Sequence, residues 1–174
     1  MRVTVSGPPG SGTTTLAKSL SSEFGYEHVS SGDVFREMAD ERGYSLGEFN
    51  ERAEEDPEID REIDLRQKEI GESRDDVLLE GRLSGWMVED ADVKIWLDAP
   101  VDTRAARIQE REGGVPEKVV EDVEAREESE AKRYREIHGI DIHDLSVYDL
   151  VINTEVWSEE DVLDIASSAV EPLR

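Results

Sequence analysis

The sequence predicts an α/β fold, a five-stranded parallel sheet flanked by helices, and three observations predict it. Five short runs rich in apolar and β-branched residues alternate with stretches of helical periodicity along the 174 residues. The runs read as buried parallel strands that feed turns, the first ending at a glycine and the fourth at a proline. The first run opens into Gly7-Pro8-Pro9-Gly10-Ser11-Gly12-Thr13-Thr14-Thr15, a glycine-rich turn that leads straight into a helical pattern. The length suits one domain, 1–174, with room for a real core but none for a second catalytic domain of ordinary size.

Arg2–Ser6 is the first strand. Leu16, Ala17, Leu20 and Phe24 then recur at helical spacing, and Gly25 offers a stop, so residues 13–24 form the next helix. The turn before it matches G-x-x-x-x-G-K-[ST] in both glycines and in the hydroxyl of Thr14, but Thr13 stands in the lysine slot. Backbone N–H groups, the helix dipole and the close approach that glycines allow still make this an anion site. Residues 29–36 read as a second strand running into a helix whose first turn reaches Arg36, which places that arginine near a ligand. Residues 37–73 are polar and helical, with pieces at 38–42, 45–54 and 59–70 broken at Gly43 and Pro57. Few large apolar residues occur there, so this region is either a flap over a cleft or an exposed helical insertion.

Residues 76–82 carry the third strand, with Glu80, Gly81 and Arg82 at its C-terminal end, where ligands of open α/β sheets gather. The fourth strand covers 93–100, and Asp102 is expected to cap the helix that follows, on which Arg104, Arg107 and Arg111 share a face. A break at 113–116 precedes a long charged helix at 117–137, where Arg126, Glu130 and Arg133 lie together. Taken alone, that helix also reads as a solvated surface with internal ion pairs. The fifth strand covers 148–154, and Ser158 caps a final helix that runs to Val170.

The formal net charge is -24 and the pI about 4.3, with acids dispersed along the chain and lysine only at 18, 68, 94, 118 and 132. Such dispersion describes a solvated surface suited to a salt-rich cytoplasm. Cysteine is absent, which excludes disulfides, thiolate zinc sites and cysteine nucleophiles and leaves any metal to oxygen or histidine ligands. No apolar run approaches a membrane span, and the N-terminus leads into a strand without a secretory pattern, so a soluble cytoplasmic protein is expected. Without a basic patch interleaved with aromatics, nucleic acid is not an expected partner.

Taken in order, the loop at 7–15, Ser-Gly-Asp-Val-Phe-Arg at 31–36, Leu-Glu-Gly-Arg-Leu-Ser-Gly-Trp-Met at 79–87, Ile-Trp-Leu-Asp-Ala-Pro at 95–100, and the segments 139–142 and 148–154 resemble the nucleoside monophosphate kinases, and specifically the archaeal-type cytidylate kinases. Arg126, Glu130 and Arg133 also resemble the Arg-x-x-x-acid-x-x-Arg signature of the bacterial cytidylate kinases. The resemblance spans essentially the whole chain and implies transfer of the γ-phosphoryl group of ATP to CMP, and to dCMP, with magnesium, by a monomer. It implies a core at 1–36, 74–103 and 138–174, a CMP-binding flap at about 37–73 and a lid at about 104–137.

On that resemblance ATP lies along Gly7, Pro8, Pro9, Gly10, Ser11, Gly12, Thr13, Thr14 and Thr15, with Thr14 on magnesium and Glu80 acting through magnesium-bound water. Ser31, Arg36, Gly81 and Arg82 face CMP, and Arg107, Arg111, Arg126 and Arg133 are the catalytic lid arginines. Asp60, Arg61, Asp64 and Arg66 in the flap are candidates for reading the base, since 60 and 64 share a helical face and carboxylates accept from the cytosine amine, although surface ion pairing fits them equally well. An adenylate kinase-like enzyme and a non-catalytic nucleotide-binding protein are the rival readings. Shikimate kinase would share the loop and sheet but would not explain 31–36 and 126–133. Threonine in the lysine slot is usual in the archaeal branch, and either a lid arginine or a monovalent ion would replace the lysine.

The charge argument sets a first expectation. Circular dichroism should show a fold markedly more stable in molar salt than in dilute buffer, because a Debye length of roughly 3 Å at 1 M screens the self-repulsion. Full stability in dilute buffer would contradict it.

Overall fold

A computed structural model describes residues 1–173 and, within them, all side chains except those at 50 and 54. Residue 174, the last of the expected core, lies outside them. The strands are β1 (Arg2–Ser6), β2 (Glu27–Ser30), β3 (Val77–Glu80), β4 (Val93–Asp98) and β5 (Leu150–Asn153). They form one parallel sheet in the order β2-β3-β1-β4-β5. The helices are α1 (Thr13–Phe24), α2 (Ser31–Glu41), α3 (Leu46–Glu55), α4 (Pro57–Ser73), α5 (Ser84–Met87), α6 (Val101–Glu112), α7 (Pro116–His138) and α8 (Glu159–Val170), followed by a 3-10 turn at Glu171–Leu173. From β1 the chain passes to one side of the sheet for β2 and β3, then crosses to the other for β4 and β5. The order therefore reverses at β1, whose C-terminal end opens into the glycine-rich loop, and crevices form at such a switch point.

The central strands β1, β3 and β4 are largely buried on both faces, as parallel sheets covered by helices must be, while the edge strands β2 and β5 are partly exposed. In β3 the alternation is direct: Leu78 joins the cluster that α1 and α8 close over β1, while Val77 and Leu79 join a second cluster on the opposite face. That second cluster includes Val34 and Met38 of α2, Phe49 of α3 and Ile59 and Ile63 of α4. The polar 37–73 region thus anchors a few apolar residues directly on the sheet. A third cluster of Leu83, Trp96, Tyr134, Ile142 and Tyr148 seats the end of α7 against β4.

Several boundaries differ from the expectation. β2 ends at Ser30, and α2 begins at once because the Ser30 side chain accepts from the Asp33 N–H while the Asp33 side chain bonds back to the cap, a closed capping box. Arg36 accordingly lies in the second turn of α2, not the first. That helix runs unbroken to Glu41, and Ser45 starts α3 with a second capping box through Glu48. The break expected at Pro57 does separate α3 from α4, and Pro57 itself occupies the first position of α4, where its missing N–H costs nothing, with Asp56 capping the helix by accepting from Glu58 N at 3.0 Å. Asp102 is not the cap of α6; Pro100 holds that position, and Asp102 within the first turn acts only through its charge on the helix dipole. β5 is shorter than expected, covering Leu150–Asn153, whereas Ser158 caps α8 as expected.

Phe49 has none of its surface exposed and joins α3 to the sheet cluster. Phe49→Ala should therefore lower the global stability seen in urea denaturation by about 3–5 kcal/mol. A loss below about 1 kcal/mol would show that this region folds apart from the sheet.

Candidate active site

The loop between β1 and α1 is built by backbone geometry. Gly10 and Gly12 adopt φ of 81° and 98°, a region that suits glycine, and a side chain at Gly7 would lie 2.5 Å from the Leu97 carbonyl. Gly12 occupies the N-cap of α1 without a side-chain cap, and the first turn carries no acid. The leading amides of α1 therefore remain available to an anion. This loop and the start of α1 wall a cavity of about 490 Å³, with Arg107, Arg111, Thr154 and Trp157 on other sides. Arg107 is fixed there by bonds from Nη1 to Thr154 Oγ1 (2.9 Å) and Gly10 O (3.2 Å), and from Nη2 to Thr154 O (2.6 Å).

Beneath the loop, at the end of β3, sits the Glu80 carboxylate, only 8% exposed. Its Oε1 accepts from Thr14 Oγ1 at 2.6 Å and from Thr13 Oγ1 at 3.1 Å, and its Oε2 meets His28 Nε2 at 3.0 Å. Burial works to raise its pKa, but the hydrogen bonds from His28, Thr14 and Thr13 outweigh burial and hold the carboxyl below its ordinary value. Thr13 therefore spends its hydroxyl proton on Glu80 and adds no positive charge to the loop. A hydroxyl beside an ionised carboxylate is a hard, oxygen-only donor set of the kind magnesium accepts while keeping several waters. Among the described residues no three His, Cys, Asp or Glu gather to hold a metal, so Thr14, waters oriented by Glu80 and nucleotide phosphates would have to complete the shell.

A second cavity of about 190 Å³ lies on the other side, walled by Ser31, Phe35, Asp60, Asp64, Arg82 and Tyr134 among others. Arg82 connects it to the loop, donating from Nη1 to Gly7 O at 2.8 Å. Its Nε and Nη2 grip Glu130, to which Arg126 Nε also donates at 2.9 Å. Asp60 and Asp64, one turn apart on α4, meet α7 side by side: Asp60 pairs with Arg133 Nε at 3.2 Å, and Asp64 bonds His138 Nε2 at 2.9 Å. Burial pushes the Asp64 carboxyl up to about 6, against the pull of His138, and burial likewise raises Asp60 despite Arg133.

The structure thus brings together Gly10, Ser11, Gly12, Thr13, Thr14, Thr15, Arg107 and Arg111 around one cavity, and Ser31, Asp60, Asp64 and Arg82 around the other. Gly7 anchors Arg82 through its carbonyl, Pro9 offers its carbonyl to Arg104, and Pro8 lines a separate cavity with Arg82 and Arg104. Gly81 leaves no room for a side chain, since a Cβ would lie 2.2 Å from Ser31 Oγ. Arg36 and Arg61 are paired with Asp33 at 2.6 Å and Glu58 at 3.7 Å, and neither is among the described lining of these two cavities, although the Arg36 guanidinium lies beside Gly32 of the smaller one. Arg66 is engaged by Glu41 and Glu62, as surface ion pairing would have it. Arg104 is buried and clamps Glu127 with two nitrogens, a structural post under the loop.

Sequence reasoning missed His28, Gln67, Tyr134, His138, Thr154 and Trp157. Gln67 is buried, donates to Glu80 O at 2.9 Å and accepts from Ser84 Oγ at 3.0 Å, fixing the backbone at the end of β3. His28 lies two residues before Ser30 and thus on the same face of β2, a parity available to the sequence once β2 is placed beside β3. Trp157, about half exposed just past the last strand, offered a signal in its own right.

Comparison with known proteins is consistent with this geometry. The profile of the cytidylate kinase-like family matches residues 2–156. A cytidylate kinase of Halobacterium salinarum is 52% identical over 172 residues, covering 98% of this chain and 90% of that protein. One of Pyrococcus abyssi is 52% identical over 171 residues, covering 98% and 94%. A solved shikimate kinase of Bacteroides thetaiotaomicron superposes with a TM-score of 0.66 at 16% identity, covering 98% of each chain, a likeness of fold alone.

The buried Asp64 sets a pH expectation. A carboxyl whose folded pKa is raised to about 6 from 3.8 binds its proton more tightly when folded, so its contribution favours the fold at low pH and is lost as pH rises from about 4 through 6. Relative to wild type, Asp64→Asn should therefore gain about 1–3 kcal/mol between pH 4 and 7 in denaturant titrations. A difference independent of pH would contradict the buried, ionising carboxyl.

Proposed function

The chain belongs to the cytidylate kinase-like family, and from that membership we infer that it transfers the γ-phosphoryl group of ATP to CMP, and to dCMP, giving ADP and the corresponding diphosphate. The observation that carries this reading to the site is the position of Arg82. It lines the smaller cavity and at the same time bonds the carbonyl that opens the phosphate loop, so one guanidinium spans donor and acceptor.

ATP occupies the larger cavity, its phosphates on the α1 amides and its base toward Trp157. CMP occupies the smaller one, with Asp60 and Asp64 as acceptors for the cytosine amine. Phosphoryl transfer asks little covalent chemistry of a protein; it asks for in-line placement and for cations around the transferring group. Arg82, Arg107, Arg111, Arg126 and Arg133 supply those cations, and Arg107, already against Gly10, is the nearest replacement for the missing lysine. Glu130 holds Arg82 and Arg126, Asp60 holds Arg133, Glu112 holds Arg111, and the Gly10 and Thr154 carbonyls hold Arg107, so the arriving phosphates take these guanidinium groups from protein partners. Thr14, and Glu80 through water, would hold the magnesium that accompanies ATP, which would supply charge neutralisation on the phosphates. Residues 37–73 act as the CMP flap and 104–137 as the lid, and their closure excludes water as a competing acceptor. The enzyme works as a monomer in the cytoplasm; among the described residues no helix is long and apolar enough to cross a membrane.

Coupled ADP release in molar salt, with CMP, dCMP, UMP and AMP compared, tests the assignment. CMP and dCMP should turn over fastest, and a preference for AMP would contradict it. In the same assay Arg133→Ala should lower kcat by the equivalent of about 2–4 kcal/mol in barrier. An unchanged kcat with only KM raised would remove Arg133 from the chemistry.

A further inference from the structure

Glu80 faces an unusual balance of partners. A buried carboxylate needs donors for its oxygens, and a cation among them offsets the cost of removing its charge from water. Thr13 and Thr14 supply two of those donors, both to Oε1, at 3.1 and 2.6 Å. Each offers only a hydroxyl. The ionisable donor comes from the opposite side, where β2 pairs with β3 so that His28 registers with Leu78 and Ser30 with Glu80. His28 and Glu80 project from the same face of the sheet one step apart, and His28 Nε2 reaches Glu80 Oε2 at 3.0 Å. Both side chains are largely shielded, at 17% and 10% exposure, so solvent does little to weaken the contact. Since an ionised carboxylate only accepts, the facing ring nitrogen carries the proton.

We propose that His28 is the positioning residue of Glu80, the donor that fixes the orientation of its carboxylate. With Oε2 anchored by His28, Oε1 stays fixed between the hydroxyls of Thr13 and Thr14. Each hydroxyl proton then points at Glu80, and the Thr14 lone pairs turn outward to the phosphate side, the orientation a magnesium ligand requires. Without the histidine the carboxylate rotates toward whichever donor remains, and the Thr14 oxygen loses its fixed direction. This proposal rests on the reading of Glu80 as an acid acting through magnesium-bound water.

The test is calorimetric titration of a non-hydrolysable ATP analogue, with and without magnesium, into wild type, Glu80→Gln, His28→Leu, His28→Gln and His28→Asn, beside steady-state kinetics. His28→Leu should lose about tenfold or more of the magnesium-dependent gain in affinity, keep its magnesium-free affinity, and show lower kcat with an unchanged KM for CMP. His28→Gln, which keeps an N–H near the Nε2 position, should restore most of the magnesium response, and the shorter His28→Asn should not. Should His28→Leu fail to fold by circular dichroism, the contrast between the two amides decides. A wild-type magnesium response in His28→Asn beside a lost response in Glu80→Gln would overturn the role of His28 alone. A wild-type response in Glu80→Gln would overturn the reading of Glu80 and the proposal with it.

Discussion

The buried carboxylate of Glu80 is the constraint on which the site depends. An ionised acid at the end of a central strand must be satisfied by donors from its surroundings, and here they arrive from two other elements: Thr13 and Thr14 from the start of α1 and His28 from β2. Those bonds fasten the glycine loop to β3 on one side and the edge strand to it on the other. Gln67 fixes the backbone of the same residue from α4, so the helical region after β2 is tied to the same point. Strand order makes this possible, because β3 lies between β1, which leads into the loop, and β2.

Charge is distributed so that a strongly acidic chain can still bind polyanions. The carboxylates are dispersed over the surface, while Arg82, Arg104 and Arg107 are drawn into the cleft and held by bonds to carbonyls and a few acids. Glu130 is the clearest case, a buried acid gripped by Arg82 and Arg126. Such pairs add little net stability, since desolvation offsets most of the Coulombic gain. Their value is geometric: they fix the guanidinium groups in the cleft, and on the proposed function a phosphate that takes an arginine from its glutamate would meet no large desolvation cost for the cation.

Much of this was legible in the residues. Alternation of apolar runs with helical periodicity gave the parallel sheet, and the glycine spacing located the loop, because both are local patterns. Asp60 with Asp64, and Arg126 with Glu130 and Arg133, followed from helical spacing, and the structure indeed sets these two faces against each other. Less legible was anything decided by a contact between distant elements. The pairing of His28 with Glu80 depends on β2 lying beside β3, and that of His138 with Asp64 on α7 crossing α4. Local chemistry misled at Asp102, where an expected capping residue proved to lie within the first turn, whereas Pro57 does mark the break between α3 and α4. Arg36 was placed near a ligand by its position after a strand; in the structure it pairs with Asp33 within the α2 that Ser30 caps, beside Gly32 of the smaller cavity.

The central claim is that two cavities serve the two nucleotides, linked by Arg82, which lines the smaller one and bonds the loop at Gly7, with no lysine in the slot at Thr13. The most direct measurement is a crystal structure with a bisubstrate analogue joining adenosine to cytidine through a phosphate chain. The account predicts phosphates along the amides of Gly10 to Thr15 and against Arg82, adenine beside Trp157, and cytosine within reach of Asp60 and Asp64. Cytosine bound outside the Asp60–Asp64 cavity, or phosphates clear of the loop, would contradict it.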